Sequence, residues 1–356
     1  MDYLRRFLVA IILLSSGVGF AQKIEGDTIQ KNPKTIDFKL MPYLGYNRDM
    51  GFMFGAIPMI MYRLNSKDSL SPKSMSGATA LYTTNNSYFV ALFNRFFLNE
   101  DKWRITMFGV TGNHYSQFFL DFQDASDFYD YNTKTTIASI GFQRLIKKHF
   151  YLGLNYTYSH YDTDYEDEVL ESSITQTNGL EVNTQYDNRN SIYYPTDGFN
   201  ARIKWLMIPE WFGNDNAANK LKFSYNQYFG QQNDRDVIAA RFSALVGLGE
   251  LPFEQQETIG GKDIRGYSEG KYRGDGIIAL QGEYRFNFHS KMGLVAFGGL
   301  STLYGSANDD FNWKLYPGAG AGFRYLVFDE EHFNIGIDAA VGKKDWGIYF
   351  RIGEAF

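Results

Sequence analysis

The stretch Gly260-Gly261-Lys262-Asp263-Ile264-Arg265-Gly266-Tyr267-Ser268-Glu269-Gly270-Lys271-Tyr272-Arg273-Gly274 combines five glycines, two tyrosines and charges of both signs within fifteen residues. It stands between two segments that alternate apolar and polar residues. Glycines at this density let a chain turn sharply and lie close to other backbone. The charges exclude a core segment, and the patterning exceeds that of a plain linker. The stretch predicts a long loop, about 250–274, folded into the lumen of a transmembrane β-barrel and anchored by Arg265.

The flanking chain supports that reading. From Asp37 onward, alternating segments recur between Gly, Asn, Asp, Pro and Lys breaks. They run over 37–47, 51–64, 75–85, 87–98, 103–120, 134–147, 149–162, 173–187, 198–209, 219–230, 236–249, 275–288, 291–304, 315–328, 332–342 and 346–356. These are sixteen strands, and a bacterial single-chain barrel requires an even number. Parity gives each strand a lipid face and an inner face. In 275–288, Ile278, Leu280, Tyr284, Phe286 and Phe288 face out, while Gln281, Glu283, Arg285 and Asn287 face in. In 346–356, Trp346, Ile348, Phe350, Ile352 and Phe356 share the outer face, and Gly347, Tyr349, Arg351 and Gly353 the inner one. The connections 48–50, 99–102 and 343–345 are short. Those over 121–133, 162–172, 209–218 and 250–274 are long and polar, as outer loops are.

Composition agrees. Aromatics reach 17%, with 26 Tyr, 31 Phe and 35 Gly but only 8 Pro, which suits strands, turns and interfacial aromatic girdles. A chain with no Cys forms no disulfide, no thiolate metal site and no lipoprotein signal. A net charge of −5 argues against nucleic acid as a partner. Residues 1–21 read as a signal peptide: Arg5 and Arg6, an apolar run Phe7–Leu14 too short to span a bilayer, and Gly19-Phe20-Ala21 before Gln22. Residues 22–36 read as a short flexible periplasmic N-terminus, and 37–356 as the barrel. The acids Asp162, Asp164, Glu166, Asp167, Glu168 and Glu171 lack the order and the glycine of an EF-hand, and read as a solvated loop facing divalent ions or lipopolysaccharide. The five histidines show no metal-ligand spacing. No catalytic constellation is recognisable, so neither enzyme activity, cofactor nor metal is expected.

Three stretches together resemble the BamA/TamA-type outer-membrane superfamily. The first, Asp187-Asn188-Arg189 through Pro195-Thr196-Asp197-Gly198, is similar to its mid-barrel D-x-R…P-x-x-G turn. The second, Ile264-Arg265-Gly266-Tyr267, is similar to its lumen-loop signature, followed by Leu280-Gln281-Gly282-Glu283. The third is the glycine-rich run 318–322, then Ile337-Asp338-Ala339 and the terminal Phe356. The resemblance implies that Arg265 pairs with an inner-wall acid. Glu283 is the favoured partner and Asp338 a substitute, since Gly299 stands where the family's second acid is expected. It also implies a barrel that parts between 37–47 and 346–356 to assist protein insertion or translocation. The glycine-rich penultimate strands would ease that deformation. Phe350, Ile352 and Phe356 resemble the signal that hands a client to the barrel assembly machinery. Residues 22–36 leave no room for the family's periplasmic docking modules (POTRA domains), so other outer-membrane subunits or a homodimer are implied as partners. The alternative is a plugged passive pore or structural barrel embedded in lipid and lipopolysaccharide.

Overall fold

A computed structural model describes residues 36–47, 50–122, 125–166, 170–232, 235–249, 251–260, 263–268 and 271–356. The expected signal peptide and most of the expected N-terminal segment lie outside the described residues. Sixteen antiparallel strands close into a barrel. They are β1 (Ile36–Asn47), β2 (Gly51–Tyr62), β3 (Ser74–Thr83), β4 (Tyr88–Leu98), β5 (Trp103–Phe122), β6 (Ala125–Lys147), β7 (Phe150–Tyr165), β8 (Ser173–Asp187), β9 (Asp197–Ile208), β10 (Ala218–Gln231), β11 (Asp236–Gly249), β14 (Gly276–His289), β15 (Met292–Tyr304), β16 (Tyr316–Phe328), β17 (Phe333–Gly342) and β18 (Asp345–Ile352). Two further strands, β12 (Glu257–Thr258) and β13 (Arg273–Gly274), pair with each other as a ribbon within the loop between β11 and β14.

Closure gives each interior strand two neighbours, which is how a sheet satisfies its backbone in lipid. The side chains alternate as parity requires. On β14, Leu280 is 57% exposed while Glu283 is 3% exposed. On β9, Ile203 and Trp205 face out while Asn200 is buried. Among the described residues no helix is long and apolar enough to cross a membrane. Crossing falls to the strands.

Antiparallel order puts alternate connections at opposite rims. The loop rim carries the connections around 84–87, 166–172, 209–217, 251–275, 305–315 and 343–344. The turn rim carries those around 63–73, 99–102, 188–196 and 329–332, together with the start of β1 and the end of β18.

One long connection differs from expectation. Residues 121–133 were expected to form a loop, but β5 runs to Phe122 and β6 starts at Ala125, with twenty paired positions between them. Twenty residues at about 3.3 Å each give roughly 65 Å of strand, about twice the hydrocarbon thickness. Beyond the lipid nothing demands an apolar face, so the alternation fades while backbone pairing continues.

Candidate functional site

The loop of 251–275 enters the barrel and lies along its inner wall. Ile259, Ile264, Tyr267 and Tyr272 are buried with Ile277, Ala279, Leu303 and Tyr316 of β14, β15 and β16. The wall there is made flat by glycine. A Cβ on Gly318 would stand 2.3 Å from the Arg265 carbonyl oxygen, and one on Gly342 would stand 2.5 Å from that of Gly266. Gly266 itself has φ +103° and abuts the Val341 backbone, a position open to glycine. Gly318 of β16 and Gly342 of β17 therefore serve close approach of the loop.

Arg265 ends this approach. Its Nη2 donates to Glu283 Oε1 and its Nη1 to Asp338 Oδ2, both at 2.6 Å. Its guanidinium also lies 3.4 Å above the Phe297 ring. Thus one fork joins β14 to β17 and covers an aromatic face, and Asp338 acts beside Glu283 rather than in its place. Gly299 leaves no room for an acid at that position: a Cβ there would stand 2.5 Å from the Leu280 carbonyl oxygen and 3.0 Å from Gln281 and Ile264. Reasoning from sequence missed the rest of the cluster. Arg285 donates to Glu283, Arg324 and Arg351 donate to Asp338, and Glu354 accepts from Arg324 at 3.1 Å. Parity placed Arg285 and Arg351 inside, but Glu354 lies past the end of β18, where parity no longer speaks.

Backbone and hydroxyl contacts then tie the loop to β18. Gly266 N–H donates to Tyr349 Oη at 2.9 Å and Ser268 N–H to Asp345 Oδ2 at 2.7 Å. Tyr267 Oη donates to the Pro317 carbonyl at 2.6 Å. Farther round, Glu254 accepts from Thr163 and Gln255 donates to Thr177. The loop therefore crosses the lumen.

The expected turn motif sits at the other rim. Asp187 accepts from Arg189 Nε at 2.7 Å and from Arg104 Nη1 at 3.0 Å. Arg104 also pairs with Asp101 at 2.6 Å and lies 3.9 Å over the Tyr151 ring. Pro195 is buried. Gly198, at φ +86°, lets the chain pass the Asn188 carbonyl, which a Cβ would approach to 2.5 Å. This motif folds the 188–196 turn inward. Its Tyr194 reaches the Arg265 cluster through Arg285, whose guanidinium lies 5.9 Å over the Tyr194 ring, while Asp187 pairs with Arg189 and with Arg104.

The C-terminal residues correct an expectation. Trp346 and Ile352 face out, at 46% and 39% exposure. Phe350 is half-buried, its ring 4.9 Å from that of Tyr43 on β1. Phe356 does not continue the outer face. β18 stops at Ile352, Gly353 takes φ +78°, and Phe356 packs in the lumen against buried Tyr194, Tyr228, Val237 and Ala239. Its carbonyl oxygen accepts from Arg285 at 2.8 Å. The cause is charge: Glu354 is drawn to Arg324 and Arg285, and the chain follows it inward.

The seam between β1 and β18 is the last element of the site. Among the described residues a single register pair, Tyr46↔Ile348, joins them. β1 and β2 share twelve such pairs, and β17 and β18 share eight. Tyr46 stacks on Trp346 at 5.0 Å across the seam. Among the described residues no three metal-ligating side chains converge on a metal site.

A closed sixteen-strand barrel, a glycine-lined lumen loop locked by an arginine and a barely paired first-to-last seam define a class of outer-membrane barrels. Residues 74–356 match an Omp85 superfamily domain, and the chain belongs to that superfamily. Its fold is similar to BamA from Haemophilus ducreyi lacking POTRA domains 1–3, with a TM-score of 0.58 and 15% identity, covering 88% of this chain and 69% of that one. It is also similar to CdiB from Acinetobacter baumannii, at 0.58 and 14%, covering 89% and 59% of the two chains. CdiB from Escherichia coli gives 0.60 and 11%, covering 89% and 67%. This chain thus spans less than two thirds of the Acinetobacter protein. No curated protein matches the sequence. The family and the barrel together imply a Gram-negative outer-membrane location, and they are consistent with outer-membrane protein assembly or translocation.

Proposed function

We propose that this barrel assists the insertion or translocation of other proteins at the outer membrane by opening between β1 and β18. The single register pair at that seam is the observation that carries the reading. Few backbone bonds need to break there, and opening presents two strand edges to an incoming strand by β-augmentation. No side-chain chemistry is required, so the protein acts as a non-enzymatic scaffold. Partner subunits, either another outer-membrane protein or a second copy, supply substrate docking. The protein itself reaches the membrane as a client of the barrel assembly machinery, through the outward face of β18 that includes Trp346 and Ile352.

Depletion in the native host followed by outer-membrane proteomics tests this. Loss of several barrels or secreted proteins is expected, whereas an unchanged profile contradicts it. A structural barrel is the second reading, favoured by the obstruction of the lumen by residues 251–275 and by the inward 188–196 turn. Planar-bilayer currents separate the two. A passive pore gives large steady currents once 260–274 is deleted, without any change in the proteome on depletion.

A further inference from the structure

Between the lumen loop and the 188–196 turn, on the side away from the Arg265 cluster, lies a cavity of about 700 Å³. Seven cationic side chains line it, against only two carboxylates, Glu181 and Glu257. Four of the cations are answered. Lys204 pairs with Glu181, Lys220 with Glu257, Arg189 with Asp187 and Arg241 with Asp263. The other three, Arg95, Arg202 and Lys222, form no ion pair among the described residues. Arg202 feels repulsion from Arg95, Arg189 and Arg104 against attraction from Asp187, and Lys222 acts on Asp263 only at longer range than an ion pair. Nε of Arg95, of Arg202 and of Arg241 has no hydrogen-bond partner. Asn200 is only 4% exposed, lines the same cavity, and leaves its Nδ2 donor unused.

Unpaired cations gathered in a half-dry lumen are costly. In the Arg265 cluster, a few strands away, every arginine faces a carboxylate, although Nη1 of Arg285 and Nη2 of Arg324 are also left without a partner among the described residues. The difference is one of ligand. We infer that this cavity binds a compact polyanion carrying two or more phosphate groups on a hydroxylated frame. Guanidinium forks match phosphate oxygens in pairs. Amides and hydroxyls, such as Asn183, Ser224 and Asn226, suit the hydroxyls of a sugar or polyol. The volume is that of a small-molecule site, and the excess of cations exceeds what one monoanion neutralises. A free phosphorylated glycan and the phosphorylated headgroup of an outer-leaflet lipid share this chemistry. The inference is independent of the seam mechanism.

Calorimetric titration of inositol hexakisphosphate into the full-length folded barrel, in zwitterionic detergent at physiological salt, tests it. One saturable site is expected, binding at least a hundredfold tighter than inorganic phosphate. The combined substitution Arg95→Gln, Arg202→Gln and Lys222→Gln should weaken it by roughly tenfold or more. Because these residues hold no ion pair, the triple variant should fold, and without ligand it should resist urea at least as well as the parent. No saturable binding overturns the inference, as does binding that the triple variant retains. Tighter binding of a tetraglutamate peptide than of the phosphate probe also overturns the assigned class. A bisphosphorylated disaccharide lipid in mixed micelles is the competitor. Displacement of the probe assigns the natural ligand to the membrane, while failure to displace assigns a soluble one, and both outcomes uphold the site.

Discussion

Among the described residues, β5 and β6 are joined at twenty positions and β1 and β18 at one. The first pair is a tall, continuous ribbon, and the second is a contact. What lies behind each explains how the barrel tolerates the weak pair. β18 is held from inside by the loop, through Tyr349 and Asp345, and the loop is held by Arg265 between Glu283 and Asp338. β1 is supported differently. It is held by β2 and by a buried apolar cluster with Met41, Ile57, Met59, Met61, Phe328 and Phe333 near the turn rim. The two sides of the seam therefore meet in one apolar cluster at the turn rim, on which Phe350 of β18 also packs, whereas the Arg265 support lies behind β18. β1 can part from that apolar cluster while the Arg265 cluster stays intact.

Breaking the internal support should have the largest effect, and the cluster's charge balance says where. Arg265, Arg285, Arg324 and Arg351 face Glu283, Asp338 and Glu354. Asp338→Ala leaves three guanidinium groups short of a partner and should cost about 3–5 kcal/mol. Arg265→Ala removes two charge-assisted bonds but leaves the remaining charges balanced, so it should cost less, roughly 2–3 kcal/mol. Urea unfolding in lipid vesicles gives both numbers, and the reverse order would show that the acids are not the shared centre. In the cycle with Glu283→Ala, the double variant should cost little more than either single one. Additive losses would mean that Arg265 and Glu283 are not coupled.

Overfilling the glycine wall comes next. Gly318→Val places side-chain carbon where the Arg265 carbonyl lies and should cost about 1–3 kcal/mol. It should also raise protease cleavage within 251–275, and an unaltered digestion pattern would count against close approach as the role of that glycine.

Lys73 offers a milder way to sharpen the contrast. It is buried on the turn between β2 and β3 and reaches Glu330 at 2.6 Å and Glu331 at 2.7 Å on the turn between β16 and β17. It thus clamps across the seam from the turn rim. Lys73→Ala should increase hydrogen exchange in β1 while leaving β14–β17 unchanged. Equal exchange in both regions would remove the distinction between the two supports.

The smallest effect is one of pH. Burial pushes the Asp68 carboxyl up, but N–H groups of Ser71, Glu100 and Leu70 and the Ser71 hydroxyl outweigh it and hold the pKa at about 2. A depressed folded-state pKa gives a contribution that is present above the unfolded value of about 3.9 and lost as pH falls toward 2. Asp68→Asn should therefore lower the urea midpoint slightly at pH 7, with the gap to wild type shrinking at pH 3. A constant gap would assign the effect to something other than this titration.

Much of the wall was legible because lipid imposes a period of two on it. Glu283 inside and Leu280 outside follow from parity alone, and sixteen strands follow from counting its repeats. Legibility failed where that constraint ends. Residues 121–133 looked like a loop because strand above the bilayer needs no apolar face. Phe356 looked like a lipid-facing residue because parity was extended past Gly353, where a positive φ and the Glu354 charge turn the chain inward. Arg265 stood out in sequence as a charge among glycines. Glu283 and Asp338 were both named as its partners, but that they pair with it at once was not legible, since they lie on strands joined only in space. The unanswered cations of the cavity were spread over β4, β9 and β10, each unremarkable on its own strand.

The seam itself gives the most direct test. The chain has no Cys, so Tyr46→Cys with Ile348→Cys introduces one defined pair at the single position where β1 and β18 are in register. Facing residues of an antiparallel pair stand about 4.5–5.5 Å apart at Cα, within disulfide reach. In depleted cells, the oxidised variant should fold and reach the outer membrane yet fail to restore the proteins lost on depletion, with reductant restoring them. Full rescue by the oxidised, cross-linked protein would contradict opening at this seam.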